Sequence, residues 1–141
     1  MISADEARGA QVAVLAVAPE PDRASLRRML QRTRWTLLEA ETVAEASSIL
    51  AAGFEGVLLC EAVLPDGVWE QLLELSSSLP FPPPVIVTSR QADNDLWMHV
   101  LNRGGYNLLG KPFSERDVFE MVSVAWRHRK DRQQSRARAA G

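Results

Sequence analysis

Gly56-Val57-Leu58-Leu59-Cys60-Glu61-Ala62-Val63-Leu64-Pro65-Asp66-Gly67 is the stretch on which the reading of this chain turns. Its apolar residues run without alternation into one acid. Such a run, closed by a turn, reads as a strand covered on both faces, as in a parallel sheet. Pro65-Asp66-Gly67 supplies the turn, with Asp66 as a turn residue. Glu61 therefore stands at the carboxyl end of a buried strand. That edge is where open α/β sheets place their chemistry.

Four more strands flank it. Val12 to Val17 is one, and Trp35 to Ala40 a second. Val85-Ile86-Val87-Thr88-Ser89 and Tyr106 to Leu109 are the others. Between them lie helical patterns. Pro19 and Pro21 end the first strand. Asp22 caps a helix through about Arg34, with Leu26, Met29, Leu30 and Thr33 at helical spacing. Thr42-Val43-Ala44-Glu45 is a capping box, and its helix stops at Gly53. A third helix spans about Val68 to Ser78. A stiff connector of prolines, Pro80 to Pro84, then leads into the fourth strand. A fourth helix begins at Asp93 or Asn94 and ends before Gly104-Gly105. Ser114 opens the last, with Val118, Met121, Val122 and Ala125 as its apolar stripe. It is expected to fade after about Arg132. Five alternations of strand and helix predict an α/β fold: a (βα)5 doubly wound, five-stranded parallel sheet of flavodoxin-like type. The expected organisation is a lead-in over 1–11, one domain over 12–130, and a basic tail over 131–141 without fixed order.

Composition narrows the functional classes. The chain has 141 residues, enough for one domain with a core. Its single cysteine, Cys60, excludes a disulfide framework and argues against a Cys-based metal site. Cys60 itself reads as a small buried hydrophobe. The longest apolar run, Val12 to Ala18, is too short to span a membrane. Acidic and basic residues before it argue against a secretory signal. A cytoplasmic setting is the expectation. Residues 127–141 hold six Lys/Arg and one acid, so a basic tail follows an acidic body.

Three polar groups converge if the strands lie side by side: Glu61, the hydroxyls of Thr88 and Ser89, and Lys111 fixed by Pro112. They make a small polar site at the sheet edge. They contain no arrangement that reads as an enzyme's catalytic machinery. Read alone, Glu61 and Lys111 are also compatible with a structural ion pair.

The same residues carry a resemblance. LLCEAVLPDG resembles the acceptor strand and loop of response-regulator receiver (CheY-like) domains, where an Asp stands four residues before the Pro. PVIVTSR is similar to their fourth strand with its phosphate-sensing hydroxyl, and GGYNLLGKPF to their Lys-Pro-Phe ending. The similarity spans about residues 12–128. It implies two-component phosphorelay signalling: a histidine kinase passes a phosphoryl group to the Asp, assisted by Mg²⁺ on an acidic pair after the first strand. Position by position, Glu61 falls at the phosphoacceptor, Ser89 and Lys111 at the phosphate-sensing positions, and Leu108 at the aromatic switch position.

The departures decide what is expected. The acidic pair falls at Ala18 and Pro19, which offer no carboxylate. Glu20 is next in line, and one carboxylate is a poor Mg²⁺ site. Glu61 is a methylene longer than Asp, and a misplacement of about 1 Å can cost about 10²-fold in rate. The expectation is a degenerate, pseudo-receiver domain with Mg²⁺ binding weak or lost. It would act as a protein-interaction module for a histidine kinase or an output protein. Trp97, Leu108 and Trp126 fall on the fourth helix, fifth strand and fifth helix, where a homodimer could form; core packing is the plainer reading. The alternatives are a working phosphoacceptor, a small-ligand-binding flavodoxin-like domain, and a regulator contacting nucleic acid through the basic tail. The last is disfavoured because the tail lacks aromatics and any DNA-reading motif.

Overall fold

A computed structural model of the chain describes residues 13–140. The lead-in over 1–11 lies outside the described residues. Five strands form one parallel sheet: β1 (Ala13–Val17), β2 (Thr36–Ala40), β3 (Gly56–Glu61), β6 (Val85–Ser89) and β7 (Asn107–Gly110). Their order is β2-β1-β3-β6-β7, so the expected doubly wound α/β sheet is present. A two-residue hairpin, β4 (Val63–Leu64) and β5 (Gly67–Val68), brackets the Pro65-Asp66 turn.

The helices are α1 (Glu20–Leu30), α2 (Val43–Ala51), α3 (Trp69–Ser77), α4 (Asn94–Arg103) and α5 (Glu115–Ala140). They cover both faces of the sheet. Leu26 and Leu30 of α1 pack with Val118, Val122 and Ala125 of α5 over one face. Ala46 and Leu50 of α2, Trp69 and Leu72 of α3, and Val100 of α4 cover the other. β1 is buried throughout, and β3 and β6 are buried except for their last residues, which is why they read as continuous apolar runs. Leu108 and Trp126 are half-buried partners of these cores, one on each face. They are therefore packing residues, and of the three expected interface residues only Trp97 is exposed, at 42%.

Two helix boundaries depart from expectation. Helix α1 begins before Asp22: Pro19 is its N-cap and Pro21 lies in its first turn. A proline there loses no hydrogen bond, because first-turn N–H groups have no intrahelical partner. Asp22 is thus inside the helix and free for another role. At the other end, α5 continues to Ala140 rather than fading after Arg132. Its last stretch is rich in Arg, Gln and Ala, all good helix formers, so the tail expected to lack fixed order is helical through Ala140.

Gly56 fixes the closest strand approach. It pairs with Ala13 across β1 and β3, and a Cβ at this position would lie 1.8 Å from the Ala13 carbonyl oxygen. That neighbour is backbone and cannot swing away. Gly56→Ala is expected to destabilise the fold by about 3 kcal/mol, the upper end for overpacking, read as a lowered denaturant midpoint with unchanged slope.

Candidate functional site

The site is built at the carboxyl ends of β1, β3, β6 and β7. Glu61 is the last residue of β3, and its register partner on β6 is Thr88. Paired residues on neighbouring strands share a face, and the next residue along points the other way. Thr88 accordingly donates its Oγ1 hydrogen to Glu61 Oε2 at 2.8 Å. Ser89, the hydroxyl expected here, instead accepts a bond from the Gln91 N–H at 3.0 Å. The hydroxyl that meets Glu61 is that of Thr88, and the alternation of the strand is the reason.

Lys111 follows β7, its backbone N–H bonded to the Ser89 carbonyl at 3.1 Å; the Lys111–Pro112 peptide is cis. Its ammonium lies 2.9 Å from Glu61 Oε2 and 2.6 Å from Asp22 Oδ2. All three side chains are nearly buried, at 7% exposure for Lys111, 12% for Asp22 and 15% for Glu61. One cation therefore ties α1, β3 and β7 together. Burial alone would lower the lysine pKa; the hydrogen bonds and charges of Asp22 and Glu61 outweigh it and raise it.

The sequence reading gave Asp22 only as a helix cap, yet a signal for another role was there. Asp22, Leu26 and Leu30 are spaced four apart and are the buried residues of α1. An acid on the apolar stripe of a helix needs a partner, and Lys111 is that partner.

Ala18 and Pro19 stand where the resemblance places an acidic pair. Ala18 is buried, and its carbonyl accepts a bond from Arg23 Nε at 2.9 Å. Glu20 is turned away, paired with Arg23 at 3.1 Å and Arg27 at 3.3 Å. The two carboxylates that reach the edge are both on the Lys111 ammonium. Among the described residues no cluster of three or more His, Cys, Asp or Glu could hold a metal ion.

Asp66 does more than turn the chain. Its carboxylate accepts the N–H of Val43 at 2.7 Å and of Ala44 at 3.1 Å. It thereby caps α2 from the loop beyond Glu61 and holds that loop in place. These bonds keep its carboxyl below the usual range. Cys60 is buried, and burial pushes its thiol up, away from the reactive thiolate. Leu108, where the resemblance places an aromatic switch residue, carries no group that could bond Thr88.

Comparison with solved structures gives the fold its parallel. A signal receiver domain of a putative Luxo repressor from Vibrio parahaemolyticus matches with a TM-score of 0.80 at 19% identity, covering 89% of this chain and 97% of that one. This chain has the receiver fold. A CheY-like receiver domain protein from Methanospirillum hungatei JF-1 matches at 0.76 and 20% identity, over 86% and 98% of the two chains. A beryllofluoride-activated NtrC4 receiver domain dimer matches at 0.75 and 24%, over 83% and 98%. No protein-family model and no curated protein matches the sequence. Among the described residues no helix is long and apolar enough to cross a membrane.

Removing the shared cation leaves two carboxylates facing one another. Lys111→Met is expected to cost about 3 kcal/mol at neutral pH, the low end for breaking a buried pair, since both carboxylates keep some solvent contact. In the unaltered chain the lysine's contribution holds below its unfolded pKa of about 10.4 and is lost only as pH rises through the higher folded value. Urea melts of both forms across pH would read this out.

Proposed function

We propose that this chain is a receiver-fold interaction module of two-component signalling whose signalling state is set by its own side chains rather than by phosphoryl transfer. The observation that carries the reading is the Lys111 ammonium closed onto Asp22 and Glu61. The resemblance implies that a phosphoryl group and Mg²⁺ supply the charges at this edge. Here a carboxylate, a second carboxylate from α1 and a lysine supply them instead. Glu61, longer than Asp, reaches both Thr88 and Lys111, the two groups that sense a phosphoryl in the family this chain resembles. The donor set does not fit Mg²⁺, which demands near-octahedral oxygen ligation: the acidic pair is absent, and Arg23 occupies the Ala18 carbonyl.

A protein partner, either a histidine kinase or an output protein, is the consistent consequence. The face for it lies on α4, where Trp97, Met98 and Leu101 are 42%, 50% and 38% exposed. Trp97 Nε1 donates to Asn107 Oδ1 at 3.1 Å, fixing the indole against β7. Large apolar groups held in the open mark an interaction surface. A homodimer is one occupant; one structurally similar receiver is described as a dimer.

Intact mass after incubation with acetyl phosphate, with and without Mg²⁺, tests the main reading. No phosphoryl gain is expected. The variant Ala18→Asp/Pro19→Asp/Glu61→Asp should gain one group in a Mg²⁺-dependent manner. A Mg²⁺-dependent gain by the unaltered chain would overturn the reading. For the α4 face, Trp97→Glu should lower the sedimentation coefficient of any self-associated species; an unchanged profile would remove the homodimer.

A further inference from the structure

At the end of the sheet opposite Glu61, a cavity of about 610 Å³ opens between α3, the proline connector, the α4–β7 turn and α5. Its size falls within the range of small-molecule sites, about 300–1,000 Å³. Leu73, Phe81, Pro82–Pro84 and Val85 form an apolar wall. The prolines hold that wall at fixed φ, so little ordering cost attaches to binding.

The polar lining holds two arginines, Arg129 and Arg132, beside the hydroxyls of Ser76, Ser77 and Tyr106. Arg129 is only 5% exposed. It donates from Nη2 to the Phe81 carbonyl at 3.2 Å and lies 3.6 Å from the carboxylate of Glu55. Its guanidinium sits 4.8 Å from the centre of the Trp126 ring. It thus pins the connector to α5 and brings a charge into the wall. Arg132, one helical turn on and exposed, lines the same cavity. Burial lowers the Arg129 pKa against the opposing pull of the Glu55 carboxylate, and the nearby charge of Arg132 adds a smaller lowering. Tyr106 completes the polar side, its hydroxyl 2.9 Å from His128 Nδ1.

We propose that this cavity binds a small amphipathic organic anion. A flat apolar body would lie along the proline and Phe81 wall, and a carboxylate or phosphate would face Arg132 and Arg129. The argument is charge and shape together: the exposed Arg132 guanidinium, beside an Arg129 balanced by Glu55, stands at one end of a rigid apolar groove and favours an anion that carries its own apolar surface. The cavity touches the α4–β7 turn and α5 from the side opposite the Glu61 edge. Binding there would give the domain a chemical input independent of phosphoryl transfer, and the proposal stands or falls separately from the reading of Glu61.

The probe is anilinonaphthalene sulfonate, an aromatic anion whose fluorescence rises on leaving water. Titrated into the folded chain, it is expected to bind saturably at one site. Arg132→Glu should weaken binding about tenfold or more, the loss of one charge-assisted contact. Ser77→Trp, filling the mouth from an exposed position on α3, should abolish it. Met98→Glu, on the separate exposed face of α4, should leave it unchanged. Circular dichroism checks that each variant is folded. Absence of saturable binding, binding that survives both Arg132→Glu and Ser77→Trp, or binding lost in Met98→Glu would each overturn the proposal.

Discussion

One ammonium shared by two carboxylates is the interaction on which the functional edge depends. Lys111 reaches Asp22 on α1 and Glu61 on β3 from the end of β7, with all three side chains largely out of water. In such surroundings an ion pair is stable only if every member is matched. Thr88 adds the neutral hydrogen bond that Glu61 still needs. The edge is therefore a closed set, in which altering any one member leaves the others short of a partner.

That closure separates this chain from the pattern it resembles. The receiver fold is intact, down to the strand order and the lysine after the last strand. The charges present at this edge are those of Lys111, Asp22 and Glu61. Where an acidic pair is expected, Ala18 offers a carbonyl already bonded to Arg23. The carboxylate at the acceptor position already touches the lysine and the hydroxyl. The scaffold is kept, and in the function proposed above these side chains hold its edge in one arrangement.

The fold was legible because its signals are local. Unalternating strands, helical stripes and the Thr42 cap each follow from a few neighbouring residues, and Thr42 does accept the Glu45 N–H. Glu61 and Lys111 were legible as residues closing strands. The misses have physical reasons. Asp22 was read as a cap because two prolines looked like breakers, although prolines belong in a first helical turn. Ser89 was preferred to Thr88 because the choice depends on register with β3, a relation between strands far apart in sequence. The polar end of α5 was read as a tail because it has no apolar stripe, yet its residues favour helix. The role of Asp66 as a cap for α2 links residues 22 and 23 positions apart and has no local signature.

The most direct test of the account is a Mg²⁺ titration of the folded chain followed by the backbone amide signals of Ala18, Glu61 and Lys111. If the ammonium closes the site, these signals should show no saturable change, while a domain with the acidic pair shows one under the same conditions. A saturable shift confined to these residues, reversed by a chelator, would mean that Asp22 and Glu61 release Lys111 to hold a metal, and would contradict the claim that this edge is held by its own side chains.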